Sequence, residues 1–378
     1  MIRELGKTVL VACLVATLCV PLPAAESSGK PIVSNSTKSK SKSSSHTRRT
    51  AARYRGVPTY ADSVRDDDPK FDDPVVRQAV VEGLGRFNGS VVAVDPNTGR
   101  ILTIVNQKLA FSDGYIPCST IKPTIAIAAL EENVITRDTM LKVGRRKYMN
   151  LTDALAHSNN PFFEELGRRM GFDTVSKYGR LLGLGELAGY NLPDEHPGSF
   201  PTEPPANGGV ARMSSFGEGI QITPLQMAAL AAAFANGGTL YYLQYPHSQE
   251  EIDNFAPRVK RDLNISNVLP ELREGMLAAV LYGTGKLSYD SGGDETPLGK
   301  TGTCDDRTAP SRIGWFISYA DETHPKIALA VLLRGNTRRV KGPTAAQVAG
   351  HIYRKLRQEN YFSDAPKETP IPGNSTGK

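Results

Sequence analysis

The stretch that decides how this chain folds is Cys118-Ser119-Thr120-Ile121-Lys122-Pro123, which opens an apolar, strongly helical segment that continues to Leu130. A helix that begins at about Ser119 places Ser119 and Lys122 on one face, where the hydroxyl and the amine can meet. Pro123 supports this start, because proline is tolerated in the first turn, whose amides have no intrahelical partners. The amide of Ser119 then stays free, beside the positive end of the helix dipole.

This first helical turn has the residues of a nucleophilic site. A serine hydroxyl becomes a good nucleophile once a base removes its proton, and a lysine can be that base when burial and neighbouring cations lower its pKa. Ser119 and Lys122 are therefore a candidate nucleophile and base. The pair alone is weak evidence, because a chain of this length contains on the order of one or two S-x-x-K strings by chance.

A second polar element, Ser158-Asn159-Asn160, closes a segment of helical character from Leu151 to His157. Ser158 supplies a hydroxyl that can relay a proton between Lys122 and the leaving or entering group, and Asn160 supplies an amide that can hold the lysine and the substrate. Taken singly, the tripeptide also fits a helix end followed by a turn. His157 has no role in this chemistry and is expected to be a packing or surface residue.

A third polar element, Gly299-Lys300-Thr301-Gly302-Thr303, comes just before strand-like residues near the end of the chain. Lys300 can supply a fixed positive charge, and Gly302 lets a substrate backbone approach the edge of a strand. The hydroxyls of Thr301 and Thr303 can bind a substrate carboxylate. Taken singly, this stretch also fits an ordinary strand flanked by glycine.

Together and in this order, the three elements resemble the penicillin-binding transpeptidase domain, whose signature is S-x-x-K, then S-x-N, then K-T-G. The resemblance is to class B penicillin-binding proteins and extends from about residue 85 to about residue 356. Other segments that carry it are Pro161 to Gly167, Tyr190 to Glu195, Gly217 to Met227, Gly283 to Gly285 and Trp315 to Ala320. The resemblance implies a serine that forms an acyl-enzyme, and the chemistry calls for neither a cofactor nor a metal ion.

The order of helical and strand-like patterns predicts an α+β fold, with an antiparallel central sheet flanked by helices. Gly89 to Val94 and Arg100 to Val105 are β-branched runs joined by turn residues, which indicates a hairpin. Later strands are predicted at about 298–304, 313–319 and 327–333, and Trp315 is expected in the core. Helices are predicted at about 75–82, 151–157, 161–170, 174–182, 224–236, 271–282 and 344–359.

The sequence divides into four parts. Residues 1–25 combine Arg3 and Lys7 with a short apolar run that prolines end, which indicates an export signal; an uncleaved membrane anchor is the alternative. Residues 26–73 are predicted to be a disordered, basic, Ser-rich linker, residues 74–361 the transpeptidase-like catalytic domain, and residues 362–378 a disordered tail. In larger class B proteins a sizeable non-catalytic domain precedes the catalytic one, and the residues before position 74 are expected to leave no room for it.

The net charge of +6 does not require a nucleic-acid partner. Much of the excess lies in the predicted linker, at Lys38, Lys40, Lys42, Arg48, Arg49, Arg53 and Arg55. Such a composition is typical of a solvated linker, with an arm that binds anionic lipid or wall polymer as the alternative. The export signal predicts a periplasmic or cell-envelope location.

Removal of the export signal leaves two cysteines, Cys118 and Cys304, in an oxidising compartment. One precedes the candidate nucleophile and the other follows the K-T-G-T element, and the proposed chemistry brings these two elements together. A disulfide is therefore predicted, with Cα atoms about 4.4 to 6.8 Å apart. Some carbapenem-hydrolysing class A β-lactamases have a bridge at matching positions. The alternative is a pair of buried thiols that pack as small apolar groups.

The resemblance implies an acyl-enzyme on Ser119, with the amides of Ser119 and Thr303 as an oxyanion hole. The implied substrate is the D-alanyl-D-alanine stem peptide of peptidoglycan, and β-lactams are the implied covalent inhibitors. A D,D-carboxypeptidase, a β-lactamase and a β-lactam sensor without turnover remain as alternatives. Against hydrolysis as the main role, Asn191 to Glu195 lacks the class A E-x-x-L-N pattern, and class D enzymes have a small apolar residue in place of Asn160.

Overall fold

The computed structural model describes residues 56–190, 192–293, 295–306 and 309–363. Its ten helices in that part of the chain are α1 Pro74–Leu84, α2 Gln107–Ala110, α3 Lys122–Glu131, α4 Leu151–Ala156, α5 Asn160–Leu181, α6 Gly209–Phe216, α7 Pro224–Ala235, α8 Gln249–Asp253, α9 Leu269–Leu281 and α10 Gly342–Gln358. Its strands are β1 Gly89–Val94, β2 Ile101–Val105, β3 Leu141–Lys142, β4 Tyr148–Met149, β5 Thr239–Tyr241, β6 Val259–Asp262, β7 Leu298–Asp306, β8 Ser311–Ala320 and β9 Ile327–Gly335. The predicted export signal and the tail beyond residue 363 lie outside the described residues.

The centre of the fold is a five-stranded sheet in the order β2-β1-β9-β8-β7, in which every neighbouring pair is antiparallel. The predicted hairpin is confirmed as β1 and β2, and the three predicted C-terminal strands are β7, β8 and β9. Strand β7 lies at an edge of this sheet, since β8 is its neighbour on one side. The side away from β8 is therefore open to contact with another element.

Helices cover both faces of the sheet, which confirms the α+β prediction. Alternate residues of β1 point in opposite directions: Val92 and Val94 join one apolar cluster, and Val91 and Ala93 join the other. The first cluster contains α3, α7 and much of α5, and the second contains α1 and α10. This two-sided burial explains why β1 is apolar at nearly every position rather than alternating.

The nucleophile segment begins as a 3-10 turn, Cys118–Ile121, and becomes α-helical at Lys122, three residues later than the sequence predicted. Pro123 lies in the first turn of α3, as expected from its missing amide hydrogen. From Lys122 to Leu130 every residue of α3 is buried, so this helix passes through the middle of the domain. Its first turn is consequently fixed on all sides by packing.

The two helices predicted at 161–170 and 174–182 form one element, α5, which is broken by non-helical backbone at Gly171, with φ 76° and ψ 172°. Glycine adopts this conformation at little cost, so the break falls where the sequence left a gap between two helical patterns. The other predicted helices are present, with ends that shift by at most two residues.

The prediction of a disordered linker up to residue 73 is wrong for residues 56–73. The side chains of Asp67 and Asp72 are only 2% and 1% exposed, and both pair with Arg77 of α1, at 2.8 and 3.4 Å. Asp72 also accepts hydrogen bonds from Thr103 and Tyr245. Asp67 and Asp72 are thus buried partners of the domain, while Asp73 caps α1.

No helix among the described residues combines the length and the apolar character needed to cross a bilayer.

Candidate active site

The structure places Lys122 directly against Ser119. The Lys122 Nζ lies 2.7 Å from the Ser119 Oγ, which is hydrogen-bond distance. Lys122 is completely buried, whereas Ser119 keeps partial exposure to solvent. A hydroxyl that a reactant can reach is therefore in contact with an amine that water cannot reach.

Ser158 and Asn160 converge on the same amine from the start of α5. The Lys122 Nζ donates to the Asn160 Oδ1 at 2.6 Å and lies 3.3 Å from the Ser158 Oγ and 3.2 Å from the Ser158 carbonyl oxygen. Ser158 has φ 54°, a left-handed conformation in the tight turn between α4 and α5. This turn directs both the hydroxyl and the carbonyl of Ser158 at one lysine.

Lys300 approaches from the edge strand β7. Its Nζ donates to the Ser158 Oγ at 2.8 Å and to the Thr301 carbonyl at 2.8 Å, and the side chain is completely buried. Three segments that are far apart in sequence therefore form one chain of hydrogen bonds, from Ser119 through Lys122 and Ser158 to Lys300.

Burial sets the charge of both lysines. The pKa of Lys122 is well below its ordinary value, first because burial penalises the ammonium form and second because the Lys300 charge lies nearby. Glu164 acts in the opposite direction. Burial also lowers the pKa of Lys300, to about 7. At neutral pH the site can therefore hold Lys122 as a free amine, which is the form that accepts a proton.

The remaining residues of the predicted K-T-G-T element have contacts within the protein. The Thr303 Oγ1 accepts a hydrogen bond from the amide of Gly342 at 2.7 Å, and the Thr301 Oγ1 lies 2.6 Å from the Thr284 Oγ1. Gly302 packs against the nucleophile turn, because a Cβ at this position would lie 2.9 Å from the Pro117 carbonyl oxygen. The structure thus gives a reason for this glycine that the sequence did not: it lets β7 touch the turn that carries Ser119.

Cys118 and Cys304 join the same two elements. Their sulfur atoms are at bonding distance and their Cα atoms are 5.7 Å apart, within the predicted range. Cys118 is fully buried and has φ 51°, a conformation that a non-glycine residue adopts only with support from its surroundings. A link to β7 at this point would hold the residue before the nucleophile in place.

Three residues that contact or influence the candidate site had no role assigned from the sequence. The ring of Phe163 lies 5.6 Å from the Lys122 Nζ, Thr284 meets Thr301, and Glu164 lies close enough to affect the charge of Lys122. The segments that contain them carried the family resemblance, but no spacing rule connects them with a lysine on another helix.

Two predictions about residues without a role in the proposed chemistry are confirmed. Trp315 is fully buried and donates to the Ile116 carbonyl at 3.0 Å, so it belongs to the core. His157 is exposed and lies beside the ring of Tyr282, with centroids 5.9 Å apart.

Fold and side chains together define a class of protein: an α+β domain in which a serine at the start of a buried helix meets two buried lysines beside an edge strand. The sequence matches the family model of the penicillin binding protein transpeptidase domain over residues 89–354. This match covers well over half of the chain, and the chain belongs to that family.

Relatives with known names agree with this membership. Stage V sporulation protein D of Bacillus subtilis is 28% identical over 313 residues, which are 70% of this chain and 48% of the relative. The peptidoglycan D,D-transpeptidase PbpA of Mycolicibacterium smegmatis is 26% identical over 348 residues, 73% of this chain and 69% of the relative. The chain spans about half the length of most of the curated relatives it matches.

A solved structure supports the fold. Penicillin-binding protein A from M. tuberculosis, as an imipenem acyl-enzyme complex, superposes with a TM-score of 0.64 at 24% identity, over 76% of this chain and 79% of that one. At this identity the likeness concerns the fold alone.

Proposed function

We propose that this protein is a serine D,D-transpeptidase that acts on the D-alanyl-D-alanine ends of peptidoglycan stem peptides in the cell envelope. The observation that carries the proposal is the unbroken hydrogen-bond chain from Ser119 through Lys122 and Ser158 to Lys300. It supplies a nucleophile, a base and a route for the proton in one buried cluster. The names of relatives such as the M. smegmatis transpeptidase support the same substrate class.

Acylation uses Ser119 and Lys122. The Ser119 Oγ attacks the carbonyl carbon between the two D-alanines while the neutral Lys122 amine takes the hydroxyl proton. Asn160 fixes that amine by accepting one of its hydrogens, which leaves the lone pair directed at Ser119. The tetrahedral oxyanion is assigned to the amides of Ser119 and Thr303, and the contact of Gly302 with the nucleophile turn supports their proximity.

Ser158 and Lys300 serve the leaving group. When the bond to the last D-alanine breaks, its nitrogen takes a proton from the Ser158 hydroxyl, which is replenished from Lys122. Lys300 donates to the same hydroxyl and keeps positive charge at the site. The products are a Ser119 ester and free D-alanine, so atoms and charge balance. An amine from a neighbouring stem peptide then attacks the ester by the reverse route and restores the serine.

The carboxylate of the terminal D-alanine is assigned to the hydroxyls of Thr301 and Thr303. Each is already held by a neighbour, Thr284 and the Gly342 amide respectively. Because the Gly342 amide donates to the Thr303 Oγ1, the hydroxyl hydrogen of Thr303 is left to donate outwards. The same arrangement would bind the carboxylate of a β-lactam, and attack of Ser119 on the carbonyl of the β-lactam ring would then make the drug a covalent inhibitor.

Cys118 and Cys304 are proposed to form a disulfide in the oxidising envelope. Their Cα separation of 5.7 Å supports the bond. The export signal, or the anchor that is its alternative, belongs to the same proposal and lies in the part of the chain outside the described residues.

A β-lactamase or a carboxypeptidase would share the acylation step and differ in how water reaches the ester. Asn160 argues for transfer to an amine as the main outcome, because its amide holds Lys122 where class D β-lactamases have a small apolar residue. A sensor without turnover would form the adduct and keep it.

The test is the time course of labelling by a fluorescent penicillin. We expect a stable adduct that Ser119→Ala abolishes and that Ser266→Ala, at an exposed serine remote in sequence from the three motifs, leaves unchanged. Rapid release of the label would favour a β-lactamase. No label on protein with an intact thermal unfolding transition would overturn the proposal. Incubation with a pentapeptide dimer and an amine acceptor then separates cross-linking from simple release of D-alanine.

A further inference from the structure

A basic hairpin projects from the domain between α3 and α4. Strands β3 and β4 pair Leu141 with Met149 and Lys142 with Tyr148. The turn between them, residues 143–147, reads Val-Gly-Arg-Arg-Lys. Four exposed cations lie within six residues: Lys142, Arg145, Arg146 and Lys147.

The hairpin has two different faces. Leu141 and Met149 are 4% and 5% exposed and belong to the main apolar cluster, so the inner face is fixed to the domain. On the outer face Lys142 lies across from Tyr148, whose exposure is 56%, and the preceding Met140 is 55% exposed. The cations are therefore displayed by a packed element rather than by a free loop.

Nothing in the described part of the chain neutralises these charges. None of the four side chains forms an ion pair or a hydrogen bond with another described residue, whereas nearby Arg137 pairs with Glu274 at 2.6 Å. An unpaired cluster of one sign raises the local concentration of anions. Its partner is consequently expected to be negatively charged.

We propose that this hairpin, residues 140–148, docks the domain on a membrane surface that contains anionic phospholipid. Clustered Lys and Arg side chains gain roughly 1 kcal/mol each near such a surface, through attraction to the headgroups. Tyr and Met side chains beside the cations can enter the interface, where amphipathic aromatic rings are enriched. A purely hydrophilic anionic polymer would use the charges but would leave Met140 and Tyr148 without a role. The proposal does not depend on the acyl-transfer chemistry.

Docking would also orient the active site. Strand β4 leads within two residues into α4, and Ser158 follows that helix. A six-residue helix is about 9 Å long, so only a short segment of chain separates the hairpin from Ser158.

The experiment is flotation of the full-length protein with two kinds of vesicle, one of phosphatidylglycerol with phosphatidylethanolamine and one of phosphatidylcholine. The test variant is Arg145→Gln/Arg146→Gln/Lys147→Gln. The control, Arg65→Gln/Lys108→Gln/Arg338→Gln, removes the same charge from scattered exposed positions and keeps the same N-terminal segment. Thermal unfolding and penicillin labelling of both variants show that the fold and the proposed active site are intact.

We expect the hairpin variant to bind the anionic vesicles roughly 100-fold more weakly than the parent chain, and the control variant no more than a few-fold more weakly. The difference should disappear at an ionic strength of about 1 M, where the Debye length falls to about 3 Å. Tyr148→Ala should weaken binding while it leaves the salt dependence unchanged.

Equal binding of parent and hairpin variant to the anionic vesicles would overturn the proposal, since the hairpin would then contribute nothing. The proposal would also be overturned if the hairpin variant lost binding to purified peptidoglycan sacculi but kept its binding to vesicles. The cations would then be assigned to a wall polymer. Failure of penicillin labelling in the parent chain would bear on the proposed catalysis and not on the hairpin.

Discussion

Lys122 and Lys300 contact the same hydroxyl: the amine of Lys122 lies 3.3 Å and that of Lys300 2.8 Å from the Ser158 Oγ. Both amines are buried, and each positive charge raises the free energy of the other. Two like charges this close are not both retained at neutral pH when burial already disfavours each of them. The lowered pKa of Lys122 favours a neutral amine beside Ser119, whereas Lys300, with a pKa of about 7, keeps part of its charge at neutral pH.

The rate of acylation is expected to have a bell-shaped dependence on pH. It rises as Lys122 loses its proton at its lowered pKa, because only the free amine can accept the serine proton. It falls above pH about 7 as Lys300 loses its charge. The measurement is the second-order rate of penicillin acylation across pH 4 to 10. Lys300→Arg keeps its charge and should move the alkaline limb of the pH profile to higher pH. If the alkaline limb does not move, it reports the titration of another group.

Lys300→Met is expected to lose activity and gain stability. On folding, the pKa of Lys300 falls from 10.5 to about 7, so the unfolded chain binds more protons between these values. The buried lysine therefore makes folding less favourable below pH 7, and this cost fades as pH rises towards 10.5. An apolar side chain of similar size should raise the unfolding free energy at pH 7 by about 1 kcal/mol or more, or about 2–4 °C in melting temperature.

Calorimetry at pH 7 and at pH 10 checks this prediction. The gain should shrink at the higher pH, where the parent lysine is already neutral for much of the time. A melting temperature that falls at pH 7 would show that the hydrogen bonds of Lys300 to Ser158 and Thr301 outweigh its burial.

Asn160→Asp is expected to impair the base more than Asn160→Ala does. The Asn160 Oδ1 is 2.6 Å from the Lys122 Nζ, so a carboxylate at this position would hold the ammonium form. We expect Asn160→Ala to slow acylation about 10- to 100-fold through loss of positioning. Asn160→Asp should be slower still at neutral pH and recover partly as pH rises. Identical pH profiles for the two variants would mean that the amide does not tune the lysine.

The sequence predicted those parts of the site that depend on local spacing. Ser119 and Lys122 are neighbours because a helical turn puts residues three apart on one face, and that rule needs no tertiary information. The meeting of Lys300 with Ser158, 142 residues apart, came from the family resemblance alone, because no local rule pairs a strand with a distant turn. The burial of both lysines could not be read from the sequence, since lysine is mostly a surface residue.

Errors arose where a polar residue has a buried partner elsewhere in the chain. Asp67 and Asp72 have the composition of a linker, yet they are enclosed by Arg77 and Tyr245 from remote segments. Gly302 was interpreted as room for a substrate backbone, and its missing side chain also makes room for Pro117, which the sequence did not indicate. In each case the sequence indicated the local pattern correctly, but it did not indicate which distant residue would contact it.

The pair Cys118 and Cys304 is expected to stabilise the fold and the nucleophile turn together. The two residues are 186 positions apart in sequence, so a bond between them closes a long loop. Cys304→Ala should lower the unfolding free energy by about 2–4 kcal/mol. Without the bond to Cys304, the left-handed conformation of Cys118, with φ 51°, loses part of its support. Acylation should therefore also slow by about 10-fold. Denaturant unfolding and labelling kinetics, with and without reductant, check both effects. Equal stability of parent and variant under oxidising conditions would mean that the thiols are not bonded.

Gly302→Ala tests the contact between the edge strand and the nucleophile turn. The added methyl group would lie 2.9 Å from the Pro117 carbonyl oxygen and 3.3 Å from the Cys118 Cβ, so β7 and the turn must move apart. Overpacking of this kind costs about 1–3 kcal/mol of stability. A shift of a few tenths of an ångström also displaces the Thr303 amide from the assigned oxyanion hole, which should slow acylation by about 100-fold. Gly292→Ala is the matched control, because its nearest neighbour would be 3.5 Å away. If Gly302→Ala acylates at the parent rate while it loses stability, the oxyanion must be bound by groups other than the β7 amide.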